Sequence, residues 1–169
     1  LHLCDRRQRQ MCIRDRVQIV GEFEDKLNAA DLTLLIQKPE TPVYVMADGR
    51  HFWRVIDNLM NNICKYAQPG TRVYVDLREN GGQVELIFRN TSRYPLNISS
   101  EELMERFVRG DESRNTEGSG LGISIAKSLM ELMGGSFMLY VDGDLFKVVL
   151  GFAQMEEEKE PLDEDKSGK

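Results

Sequence analysis

Three groups of residues have the types and spacings to hold a polyphosphate and its metal. The first is the set His51, Asn58, Asn62 and Lys65. At roughly 100° per residue these fall on one face of a helix, apart from the apolar stripe Phe52, Val55, Ile56, Leu59 and Ile63. An amide oxygen is a hard donor that suits Mg²⁺, a cation that keeps waters and substrate phosphates as its other ligands. A lysine one turn on adds positive charge for phosphate. The plainer alternative is a solvated helix face, although Asn is a weak helix former and a poor choice for solubility alone.

The second group is Glu117-Gly118-Ser119-Gly120-Leu121-Gly122. Glycines at alternate positions let backbone approach a ligand closely, and the N–H groups that open the following helix attract anions. No strand precedes this run and Ile125 stands where a third dinucleotide-loop glycine is needed, so it is not a Rossmann fingerprint. No Gly-Lys-Ser/Thr follows, so it is not a Walker A loop. Read blandly, it is a flexible linker into a helix. The third group is Glu105 to Asn115, where Arg106, Arg109 and Arg114 stand ahead of the glycines. Such a segment can be a lid over a nucleotide or an ordinary surface loop.

The elements that must position these groups follow from periodicity. Asp48 to Tyr66 has apolar residues at steps of three and four and stops at Pro69-Gly70, a strong helix signature. Thr71 to Glu79 and Val84 to Phe88 alternate across Asn80-Gly81-Gly82 and predict a hairpin. Ser99-Ser100-Glu101-Glu102 caps a short helix to about Phe107, and Leu121 to Met133 is a helix closed by Gly134-Gly135. Phe137 to Val141 and Leu145 to Phe152 predict a second hairpin, Leu32 to Ile36 and Val43 to Met46 further strands, and Val17 to Leu27 an opening helix. About three substantial helices and six strands give an α+β class, a two-layer α/β sandwich with a mixed, mostly antiparallel sheet covered on one face by helices.

Composition sets the bounds. The chain has 169 residues, 22 Lys plus Arg against 28 Asp plus Glu, and a formal charge of -6, which suits one domain and argues against nucleic acid or an anionic membrane surface as partner. The charge is uneven. Residues 1–16 hold five Arg against two Asp, and residues 155–169 hold seven acidic against three basic groups. Residues 1–16 read as a disordered or non-native leader, 17–154 as the folded domain and 155–169 as a disordered acidic tail. Cys4, Cys12 and Cys64 form no CxxC pair, so neither a disulfide framework nor a zinc site is supported, and a reducing compartment fits best. No apolar run approaches the roughly 18 residues of a membrane span.

Taken together, these residues resemble the catalytic ATP-binding domain of sensor histidine kinases, in the wider group of Hsp90, MutL and type II topoisomerases. Asp57 to Ala67 looks like the N box of that family, Glu105 to Gly110 like its F box, and Gly118 to Lys127 like its G2 box. The resemblance covers roughly Val17 to Gln154. It implies that Asn62 holds Mg²⁺, that Asn58 supports the site, that Lys65 and Tyr66 face the phosphates of ATP, and that Gly118, Gly120, Leu121 and Gly122 shape the lid end. It makes Phe107, Arg109 and Arg114 lid residues.

Two departures carry information. Where the family has an Asp-x-Gly-x-Gly box whose Asp accepts from the adenine amino group, this chain has Asn90-Thr91-Ser92-Arg93-Tyr94. Asn90 keeps an acceptor and adds an NH₂. In the ATP-hydrolysing relatives a Glu acts as general base one turn before the metal-binding Asn, and here Asn58 takes that place, so slow or absent hydrolysis is expected. The histidines, His2 and His51, lack the context of a phosphoacceptor. No catalytic residue is therefore assigned within the chain. The resemblance implies a His on a separate dimerisation domain, acting in cis or trans, a downstream response regulator, and a cytoplasmic domain of a membrane-anchored parent with no membrane contact of its own. The alternatives are a regulatory module that has kept the fold and lost the nucleotide, and a protein-serine kinase of the anti-sigma type.

Overall fold

The computed structural model describes residues 9–109 and 121–158. In chain order the elements are β1 (Arg9–Cys12), α1 (Ile13–Arg16), a 3-10 helix (Val17–Phe23), α2 (Glu24–Ala29), β2 (Leu32–Gln37), β3 (Tyr44–Ala47), α3 (Gly49–Tyr66), β4 (Thr71–Asn80), β5 (Gln83–Thr91), α4 (Ser100–Arg109), α5 (Gly122–Leu132), β6 (Ser136–Asp142) and β7 (Leu145–Met155).

Each local signal has a visible cause. Asp48 caps α3, its Oδ1 accepting from the backbone N–H of Arg50 at 2.8 Å and of His51 at 3.2 Å. Phe52, Val55, Ile56, Leu59, Met60 and Ile63 then make the buried stripe. The β4–β5 hairpin turns on Gly81 and Gly82, both at positive φ (56° and 82°), with Asn80 opposite Gln83. That two-residue turn demands φ values open to glycine and matches the twist of the strands it joins. At the end of α5, the N–H of Gly134 donates to Glu131 and that of Gly135 to Met130, closing the helix with Gly134 at φ 76°.

The strands form one seven-stranded sheet in the order β1-β3-β7-β5-β4-β2, with β6 also paired to β7. Among the described residues only β2–β4 is parallel. Val73, Val75 and Leu77 of β4, Val84, Leu86 and Phe88 of β5, and Val148, Leu150 and Phe152 of β7 join the helix stripes in a single core. Alternation turns Asp76, Ile87 and Arg89 to the opposite face of the sheet. There the Asp76 side chain is only 1% exposed, paired to Arg89 and, at 3.2 Å, to Arg78.

Three expectations need correction. The fold does not begin at Val17: β1 pairs with β3, Met11 and Ile13 are buried, and the N–H of Ile13 donates to Val43 at 2.9 Å. Four residues carry too little periodicity to be heard beside five arginines. At the other end β7 runs on to Met155, and Tyr44 donates to Glu157 at 2.9 Å, so the fold continues past 154. The opening helix is a 3-10 segment followed by α2. Its buried residues Val17, Val20 and Phe23 recur every three, the period of the tighter helix.

Candidate functional site

The C-terminal half of α3, the start of α5 and the end of β5 come together on one side of the domain. Asn58 and Asn62 are both half-buried on α3, outside its core stripe. Asn58 donates from Nδ2 to the carbonyl of Arg54 at 2.8 Å, which fixes the orientation of its amide. The Oδ1 atom then faces α5: a Cβ built on Gly122 would lie 3.1 Å from it. Gly122 is the first residue of α5, and Leu121 before it supplies no side-chain cap. First-turn N–H groups therefore stand beside the Asn58 amide of α3, an arrangement able to receive an anion.

This close approach predicts a separable effect. Gly122→Val should improve helix propensity yet displace Asn58. Calorimetry with a non-hydrolysable ATP analogue is expected to show about tenfold weaker binding, about 1.4 kcal/mol, with the thermal midpoint little changed.

Lys65 lies with Nζ 5.1 Å from the centroid of the Tyr66 ring, at the C-terminal end of α3. Just beyond it the backbone of α3 is strapped to the end of β5. Gln68 N–H donates to Thr91 at 2.8 Å, Arg93 N–H donates to Tyr66 at 2.8 Å, and Ala67 and Ser92 form an antiparallel bridge. Asn90, the last buried residue of β5, is thereby held next to the Lys65–Tyr66 end of the helix. Ser92, also buried, was not singled out from sequence. A backbone bridge between distant segments leaves no residue-type signal.

The remaining expectations divide cleanly. Phe107 is half-buried and packs on the edge of the core with Leu103 and Met104. His51 sits at the start of α3, its Nδ1 3.9 Å from Asp48, and eleven residues of rise put it about 16 Å from Asn62. The stripe that joined them on a helical wheel does not join them in a site. Leu121 is exposed, and its carbonyl accepts from Ile125 N–H at 2.9 Å. The Arg109 side chain, Arg114, Gly118 and Gly120 lie outside the described residues. Cys64, also on α3, has its thiol pushed up by burial, with Lys26 opposing weakly, and so is protonated and a poor nucleophile at neutral pH.

Among the described residues no three His, Cys, Asp or Glu side chains gather to hold a metal. One amide oxygen, phosphate oxygens and waters are a donor set Mg²⁺ accepts, with the triphosphate bringing most of the charge.

The fold has known counterparts. The profile of the histidine kinase-, DNA gyrase B- and HSP90-like ATPases matches residues 47–161. The chain is 27% identical over 146 residues to the probable sensor kinase SilS of Salmonella typhimurium, covering 85% of this chain and 29% of that protein. It is 34% identical over 110 residues to the probable sensor protein PcoS of Escherichia coli, covering 63% and 24%. It thus spans about a quarter of the length of these relatives. Among solved structures, the catalytic domain of histidine kinase ThkA superposes with a TM-score of 0.72 at 18% identity, covering 86% of this chain and 95% of that one. ShkA in complex with AMPPNP gives 0.69 at 17% identity, covering 89% and 32%. With the family profile covering most of the chain and the sandwich shared, the chain belongs to the histidine kinase-, DNA gyrase B- and HSP90-like ATPases.

Proposed function

We propose that this domain binds Mg-ATP between α3 and the start of α5 and presents the γ-phosphate to a histidine on a separate dimerisation domain. The observation that carries the reading is the meeting of Asn58 and Gly122, which sets the Asn58 amide of α3 beside the uncapped first turn of α5. In this reading Asn62 would supply an oxygen to Mg²⁺, Lys65 and the first-turn N–H groups of α5 would take phosphate charge, and Arg109 and Arg114 would add positive charge for the phosphates. When bound, Mg²⁺ neutralises phosphate oxygens and so eases attack on the γ-phosphorus. An imidazole nitrogen forms the new bond to phosphorus, the bond to the β–γ bridging oxygen breaks, and ADP leaves with that electron pair. The imidazole gives up its proton to solvent.

Partners follow from that chemistry: the His-bearing domain of the same family, in cis or trans, and then a response regulator. The parent is placed at a membrane with this domain in the cytoplasm. No helix of the described residues is long and apolar enough to cross one.

Calorimetry with a non-hydrolysable ATP analogue tests the reading. Binding is expected in Mg²⁺ and a loss of at least tenfold in EDTA. Without a general base at position 58, steady-state ATP hydrolysis by the chain should stay near background, and phosphohistidine should form only when the His-bearing domain is added with labelled ATP. A second reading, a regulatory module without nucleotide, is favoured by Asn90-Thr91-Ser92 in place of the family's Asp-x-Gly-x-Gly. Absence of binding in Mg²⁺ would establish it.

A further inference from the structure

Asn90 is 4% exposed and lies on the helix-facing side of β5, in alternation with Leu86 and Phe88. Its Oδ1 is buried without a hydrogen-bond partner. Its Nδ2 reaches only the carbonyl of the adjacent Thr91, at 3.4 Å, longer than an effective N–H···O bond. A native core rarely leaves a buried amide oxygen in this condition, because the lost solvation is uncompensated. The position is therefore suited to a ligand that completes it. The strap between Thr91–Arg93 and Tyr66–Gln68 places that ligand at the Tyr66–Gln68 end of α3, beyond Lys65, which is the far end of the Mg-ATP site proposed above and rests on that reading.

What an amide can complete differs from what a carboxylate can. An ionised Asp here only accepts, so it suits the exocyclic amino group of adenine and repels a carbonyl at the same ring carbon. An Asn has an acceptor and a donor of nearly equal shape at its two ends. With Oδ1 toward the base it accepts from the adenine amino group while Nδ2 donates to the neighbouring ring nitrogen. Turned over, Nδ2 donates to the carbonyl of a 6-oxopurine and Oδ1 accepts from its protonated ring nitrogen. Neither end is pinned by a strong bond within the protein, so both orientations are open. We infer that Asn90 relaxes base selection, so that the domain takes 6-oxopurine nucleoside triphosphates nearly as well as ATP.

The test is calorimetric titration of the full chain with ATP and with ITP in Mg²⁺, beside Asn90→Asp and Asn90→Ala. ITP is the probe because it differs from ATP at the edge in question and lacks the extra amino group of GTP. The native chain should bind the two within about fivefold. Asn90→Asp should raise the preference for ATP at least tenfold, mainly by weakening ITP, the size expected for a mismatched bidentate contact. Asn90→Ala should weaken both and leave their ratio near one. A native chain that rejects ITP by fiftyfold or more overturns the inference, whichever variants fold, and leaves the Mg-ATP reading standing. A native chain that binds neither nucleotide overturns both. An Asn90→Asp ratio equal to the native one removes Asn90 as the selector.

Discussion

Replacing Asn62 with Ala is expected to weaken Mg-dependent binding of a non-hydrolysable ATP analogue by about a hundredfold while the fold is kept. The size follows from the donor set. Nothing among the described residues offers a carboxylate cluster to take over, and even removing groups that only orient a metal ligand costs about 10–100-fold. The fold should tolerate the change because Asn62 lies outside the stripe of Phe52, Val55, Ile56, Leu59, Met60 and Ile63. Its truncation opens no core cavity, and Ala is the better helix former by roughly half a kcal/mol. A titration in EDTA separates the causes: Asn62→Ala should bind the free nucleotide about as weakly as the native chain does without metal. Undiminished binding of Asn62→Ala in Mg²⁺ would remove this residue from the site.

Asp76→Ala should act in the opposite way, on stability and not on the nucleotide. Asp76 is 1% exposed and pairs with Arg89, whose side chain is 34% exposed, on the sheet face away from the helices. Arg89 also lies over the Tyr74 ring, 5.2 Å from its centroid, and its Nε is buried without a partner. Removing the carboxylate leaves a guanidinium with much of its hydration gone and no counter-charge. Breaking a buried pair from one side costs about 3–5 kcal/mol, and the partial exposure of Arg89 points to the low end, about 3 kcal/mol. Arg78 adds little, since its side chain is 55% exposed. In urea the midpoint should fall while the slope stays the same. The double replacement of Asp76 and Arg89 by leucine should recover much of the loss, because two apolar side chains leave no stranded charge. A midpoint unchanged by Asp76→Ala would mean that the pair contributes nothing net.

The contrast between these residues shows what the chain made legible. α3, α5 and both hairpins announce themselves through periodicity and turn glycines, and with them the class of the fold. β1 does not, because Arg9–Cys12 gains its order from pairing with Tyr44–Ala47, a contact over thirty residues away. Asp76 sits in an alternating strand where a charged residue ordinarily faces solvent, and only the converging arginines bury it. Asn58 and Asn62 were readable as a face, yet the same wheel wrongly enlisted His51, since angle alone ignores rise along the axis. The closeness of Gly122 to Asn58 is a property of how α5 crosses α3. No spacing within either segment encodes it.

The strap at the end of α3 has a consequence for how a nucleotide is admitted. Ala67 bridges Ser92, and the backbone bonds at Gln68 and Arg93 tie the same two segments. On the proposed reading, the residues that would meet the base and those that would meet the metal belong to segments tied by backbone bonds, so the fold itself sets their separation. A preset span lowers the ordering cost of binding. The opposing side, where α5 meets α3 through a glycine against an amide and α4 packs behind it, shares no such backbone bonds with α3 among the described residues. On the proposed reading, adjustment to the ligand would fall to that second side, with the strapped side as its reference.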